Sequence, residues 1–181
     1  GKSEICSPSP IRGDRFLTIG VMKPEKGNLR AIEYCKKAGV PLDVVGASAD
    51  KVYETKVRME CDNDRMIFHG EVSDQEKIKL MQSCKALIYC NTEPEVTSHK
   101  VQECLLCGAP VVCSNLGALP EIITHGIDGW LCSYDGDFIK RLGSVDGLKP
   151  DFNALKQRYG VEDVVRIYIP TYERVANGER W

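Results

Sequence analysis

The sequence predicts an α/β domain built on one doubly wound, mostly parallel sheet of about six strands, with helices on both faces and further helices at the C-terminus. Three observations carry this. Short runs of β-branched and apolar residues alternate along the chain with amphipathic stretches. Several of those runs are almost wholly apolar, which is the pattern of parallel strands buried on both faces. And 181 residues suit one ordinary domain with its own core. The arrangement is Rossmann-like.

The strand candidates are Phe16–Val21, Leu42–Val45, Met66–His69, Ala86–Cys90, Pro110–Cys113 and Trp130–Cys132. Between the first two, Leu29, Ile32 and Cys35 mark one apolar helix face, and Gly39 is a stop signal. Ser73 is placed to cap a helix running to about Cys84, with Asp74 and Glu76 favourable in its first turn. A further helix runs from about Ser98 to Cys107 and ends at Gly108. Phe152–Tyr159 and Val161–Val175 read as C-terminal helices separated by Gly160, and Pro170 is expected to kink or split the second. Residues 1–14, rich in Ser and Pro, read as a lead-in or linker rather than a packed element, leaving 15–181 as the domain.

Composition narrows the function class. Hydrophobic residues make up 43% and charged residues 28%, the balance of a globular protein. A formal charge of −2 argues against nucleic acid as a partner. No apolar run is long enough to span a bilayer, and residues 1–4 lack a signal-peptide pattern, so a cytoplasmic location is expected. The nine cysteines sit mostly inside apolar runs, which favours reduced, buried thiols. Cys104 and Cys107 have C-x-x-C spacing. His69, His99 and His125 supply no convincing second ligand pair for zinc, and a redox pair would open its helix rather than close it, so packing is the expected role.

A parallel α/β sheet binds ligands beyond the C-terminal ends of its strands. Two such loops carry the chemistry. Met22–Gly27 contains neither G-x-G-x-x-G nor a Walker loop, but places Lys26 one residue before a helix-opening glycine, where an anion site or a solvated lysine are equal alternatives. Asn91–His99 is richer. Pro94 keeps the chain extended, Thr97 or Ser98 caps the following helix, and that helix's unpaired N–H groups suit a phosphate, helped by Lys26 and Lys100. Glu95 and Glu103 lie about 12 Å apart at helical rise, too far to act together on one glycosidic bond. They suit the two ends of an elongated ligand. Alternatively, Glu103 is a helix-surface charge and Glu95 a loop charge.

Five segments in register resemble the C-terminal domain of the group 1 (family 4) retaining glycosyltransferases, which have the GT-B fold. They are Phe16–Gly27, Leu42–Gly46, Met66–Asp74, Glu95–Pro110 and Gly117–Leu131, and the likeness spans roughly residues 15–176. The resemblance implies binding of a nucleoside-diphosphate sugar and transfer of its sugar with retained configuration. It implies no cofactor, and no metal at the diphosphate. It matches Glu95 to the glutamate near the donor sugar, Glu103 to the one that holds the ribose, and Lys26 to the diphosphate lysine. Val72 falls where the backbone meets the base, and Thr97 and Ser98 where N–H groups meet phosphate. Val21 stands where the family has an arginine, with Lys23 or Lys100 as the candidate replacements. Val96, Thr97 and Ser98 replace the family's proline, phenylalanine and glycine. A GT-B active site lies between two domains, so the resemblance implies an N-terminal acceptor-binding partner, through which alone a membrane would be contacted. The competing reading is a nucleotide-binding interaction module that has lost turnover. An unrelated oxidoreductase is disfavoured by the missing G-x-G-x-x-G.

Overall fold

The structure, a computed structural model, describes residues 6–9, 11–159 and 161–179, without the side chains of 161–164 and 167. The start of the lead-in and Gly160, expected to separate the last two helices, lie outside the described residues. Six parallel strands form one sheet: β1 (Phe16–Ile19), β2 (Leu42–Val45), β3 (Met66–Gly70), β4 (Leu87–Tyr89), β5 (Val111–Ser114) and β6 (Gly129–Cys132), in the order β3-β2-β1-β4-β5-β6. Each strand candidate is present, with ends moved by a few residues.

The helices are α1 (Asn28–Ala38), α2 (Lys51–Met59), α3 (Asp74–Ser83), α4 (His99–Leu106), α5 (Leu119–Ile122), α6 (Asp135–Leu142), α7 (Phe152–Tyr159) and α8 (Val161–Ala176). Strand side chains alternate between two core layers, as the two-residue period of a strand requires. Leu17, Ile19, Leu87, Tyr89, Val111 and Cys113 face α3, α4, α5 and α7. Phe16, Leu42, Val44, Ile88 and Val112 face α1, α2 and α6. This is the doubly wound arrangement that the nearly all-apolar strands predict.

Helix ends follow local rules where the sequence supplies them. Ser73 caps α3 by accepting from Glu76 N–H at 3.2 Å. Gly39 closes α1 in the left-handed conformation, its N–H bonded to α1 carbonyls. Three helices lie outside the sequence prediction. The buried face of α2 is only Tyr53 and Val57, and that of α6 only Phe138 and Leu142. The third, α5, is four residues long. Such short apolar stripes barely rise above background in a sequence. A local signal for α2 was nonetheless present, because Asp50 accepts from Val52 N–H and Tyr53 N–H at 2.9 and 3.0 Å.

Two expectations change. Of the two outcomes expected at Pro170, kinking or splitting, the split does not occur, because Pro170 lies inside one helix, α8. It is exposed, and there the ladder bond that proline removes leaves a carbonyl that solvent can satisfy. The described part of the lead-in is also packed. Cys6 is buried with residues of α3 and α4, Ser7 O accepts from Gln82 at 2.9 Å, Gly13 N–H donates to Ser83 O, and Arg12 reaches Cys84 O at 3.2 Å. Its Ser/Pro composition predicts an irregular backbone correctly but carries no information on what the segment lies against. The cysteines are buried except Cys61, and Cys104 and Cys107 pack fully inside the core at the end of α4.

Gly27 is the tightest joint in this frame. Its φ is 68°, and a Cβ there would stand 2.0 Å from the carbonyl oxygen of Cys90. Gly39 has nearly the same φ, 67°, but open space around it. Gly39→Ala should therefore cost about 1–2 kcal/mol from backbone conformation alone, and Gly27→Ala distinctly more. Urea unfolding midpoints at unchanged m-value measure the difference; equal costs would mean that the Gly27–Cys90 contact is not tight.

Candidate functional site

β1 and β4 are neighbours whose connections leave in opposite directions, so a crevice opens beyond their C-terminal ends. From β1 the chain turns through a short 3-10 turn, Pro24–Lys26, into α1. From β4 it runs through residues 90–98 into α4. The two segments are tied together: Thr92 N–H donates to Glu25 O at 2.9 Å, and Gly27 abuts Cys90. The loop is also tied to the segment after β5. Ser114 Oγ donates to Asn91 O at 2.8 Å, and Ala118 N–H to Glu95 O at 2.9 Å. Gly117, at φ 58°, lies so close that a Cβ would come within 2.6 Å of Glu95 N and O. The loop that carries Glu95 is thus held from both sides, and Gly117 and Ala118 fix the backbone of Glu95 itself.

These ties shape a cavity of about 500 Å³ over the N-terminus of α4. Lys26, Glu95, Thr97, Ser98, Lys100 and Glu103 all line it, which brings together every site residue predicted from sequence but one. Val72 is the exception: it is not among the lining residues and packs half-buried against the core before α3. Lys77 and Tyr89 line the cavity and were not foreseen. Tyr89 reads as a core strand residue, and the adjacency of α3 to α4 that delivers Lys77 is a tertiary fact.

The charges are organised in pairs. The Lys26 ammonium pairs with Glu95 Oε1. The Tyr89 hydroxyl stands 2.9 and 2.8 Å from Glu95 Oε1 and Oε2. On α4, Glu103 faces Lys77 at 3.5 Å, and Lys77 also meets Asp74 at 3.1 Å. Burial alone would pull the Lys77 pKa down, but Asp74 and Glu103 outweigh it and the net shift is upward. Glu103 is only 18% exposed in its side chain, so it points into the cavity rather than outward from the helix. Lys100 has no carboxylate within ion-pair distance among the described residues; its pKa is lowered, first by burial and then by the like charge of Lys26.

Ser98 is the N-cap residue of α4, but its side chain makes no capping bond. Its hydroxyl lies near the Tyr89 phenol and helps set that group's pKa. The first backbone N–H groups of α4 are therefore not taken by its own cap, and they carry the partial positive charge of a helix start. Three ammonium groups, a helix N-terminus and two carboxylates share one cavity. Such a set can hold an elongated anion with hydroxyl groups at its ends: cations and N–H groups for the anion, carboxylates for the hydroxyls.

Fold and site together define a Rossmann-like domain with a lysine-lined cavity at its topological switch point. Residues 8–140 match the family described as glycosyl transferases group 1, and the chain belongs to that family. N-acetyl-alpha-D-glucosaminyl L-malate synthase of Bacillus anthracis is 30% identical over 69 residues, which is 38% of this chain and 17% of that protein. Among solved structures, AviGT4, a glycosyltransferase involved in avilamycin A biosynthesis, superposes with a TM-score of 0.80 at 20% identity, covering 99% of this chain and 57% of its own. HepE of Anabaena, solved in complex with UDP and glucose, superposes with a TM-score of 0.75 at 21% identity, over 92% of this chain and 49% of its own. The chain thus spans about half the length of these solved relatives. No helix among the described residues is long and apolar enough to cross a membrane.

The site's electrostatics can be checked without a ligand. By NMR of labelled lysines, Lys100 should titrate below the usual lysine value. Lys26→Met should raise that pKa by removing a like charge, and Glu95→Gln should lower it further, because Glu95 supports the charged form. A Lys100 indifferent to both changes would place its ammonium away from the cavity.

Proposed function

We propose that this chain is the donor-binding half of a retaining glycosyltransferase. It binds a nucleoside-diphosphate sugar, and the sugar passes to an acceptor held by an N-terminal domain. The observation that carries the reading is that Lys26, Lys100 and the N-terminus of α4 line one cavity at the switch point together with Glu95 and Glu103. Family membership supports it, as does the complex of HepE with UDP and glucose.

In this reading the diphosphate lies on the Thr97 and Ser98 end of α4, neutralised by Lys26 and Lys100. Glu103 accepts from ribose hydroxyls and Glu95 from sugar hydroxyls, while the Val72 segment meets the base. Catalysis rests on stabilising the departing diphosphate with preset positive groups, which act strongly because they need little reorganisation. The lysines and the helix end supply that charge in the proposal, without a metal or cofactor. Lys100 takes the place of the cation lost with Val21. The protein acts in the cytoplasm, and any membrane contact comes through the N-terminal domain.

A second reading is favoured by Val21, which removes a family arginine from the diphosphate: a nucleotide-binding interaction module without turnover. Sugar transfer on adding an N-terminal acceptor domain separates the two.

Calorimetric titration with UDP, GDP and ADP and their sugars tests the leading proposal. One nucleoside diphosphate should bind, and failure of all at millimolar concentration would sink it. Glu103→Ala should weaken the binding diphosphate by about 1.5–3 kcal/mol, the worth of hydrogen bonds to a charged group. Unchanged affinity would return Glu103 to a surface role.

A further inference from the structure

We propose that Tyr89 is a positioning residue that holds the Glu95 carboxylate in place when Lys26 leaves it for the diphosphate. This rests on the donor-site reading above.

Glu95 has two partners with different abilities. Lys26 carries a full charge on a flexible stem, and its ammonium sits on Glu95 Oε1. Tyr89 is neutral and rigid. It ends β4, is 2% exposed, and sets its hydroxyl 2.9 and 2.8 Å from the two carboxylate oxygens. Burial first, and then Glu95, push its pKa up, so the phenol remains a donor at working pH. The ionised Glu95 carboxylate can only accept, so the Tyr89 O–H is the donor in this contact.

A diphosphate over the start of α4 competes with Glu95 for Lys26. If Lys26 were the sole partner of Glu95, its departure would leave a carboxylate only 18% exposed without a donor. Partly buried charges without partners are costly, so Lys26 would be held back. The phenol removes that obstacle. It secures the carboxylate without cancelling its charge, and two oxygens offer about four acceptor sites, leaving room for sugar hydroxyls. Because Gly117 and Ala118 already clamp the Glu95 backbone, the side-chain torsions are what remain to be set. Tyr89 sets them.

The test compares Tyr89→Phe with the wild-type chain, each titrated with UDP, GDP and ADP and with the matching nucleosides, which lack phosphate. The variant should bind its diphosphate about fivefold more weakly, the worth of one hydrogen bond, while nucleoside affinity is unchanged. In a Glu95→Gln background the Tyr89→Phe change should have no effect. Glu95→Gln alone, which keeps Tyr89, should bind the diphosphate more tightly, because Lys26 is then free; this arm stands even if Tyr89→Phe fails to fold. Equal losses for nucleoside and diphosphate would mean a merely structural Tyr89 and overturn the proposal. So would an unchanged diphosphate affinity, a loss that persists in the Glu95→Gln background, or no gain on Glu95→Gln. A wild-type chain that binds no nucleoside diphosphate would instead remove the donor-site reading itself.

Discussion

The site depends on one backbone contact, the approach of Gly27 to the carbonyl of Cys90. It joins the turn after β1 to the loop after β4, the two strands between which the chain direction reverses. With no Cβ at Gly27, the turns come within van der Waals reach, and Thr92 adds a hydrogen bond to Glu25. Lys26 is thereby carried to Glu95, although 69 residues separate them in sequence. Gly117 and Ala118 close the loop from the opposite side. Two glycines with positive φ thus hold a polar site on an otherwise regular sheet.

Around this joint the charges are arranged so that none is simply buried. Glu95 has Lys26 and Tyr89, and Glu103 has Lys77, which in turn has Asp74. Lys100 is the exception: among described residues no carboxylate pairs with it, and its lowered pKa records burial and the nearness of Lys26. An arriving anion would relieve that repulsion. Like charges crowded at a helix N-terminus form a site that favours a polyanion over a neutral ligand. The same crowding makes the division between a mobile charged partner and a rigid neutral one useful at Glu95.

The parallel strands were legible in the sequence because fully buried strands need an unbroken apolar run, and Ala86–Cys90 or Pro110–Cys113 offer little else. The helices α1, α3 and α4 were legible through Gly39, Ser73 and Gly108, residues whose conformational or capping preference is local. By contrast, α2 and α6 each bury two large side chains, too few to stand out as a period. Packing of Cys6 against α3 and α4 had no signature at all, since a cysteine in a Ser/Pro-rich segment reads the same whether it is covered or exposed.

The sequence by itself determined the strand–helix alternation, the location of polar loops at the strand ends, and the residue types Lys26, Glu95, Lys100 and Glu103 within them. These follow from period, propensity and spacing, which act over a few residues. Only the tertiary structure decided which of these groups meet. It turned Glu103 toward Lys77, left Val72 outside the cavity, and made the last residue of a core strand, Tyr89, a partner of Glu95. The reason is that side-chain pairing across the switch point depends on strand order and on the close approach of Gly27 and Gly117, and neither is encoded within any one segment.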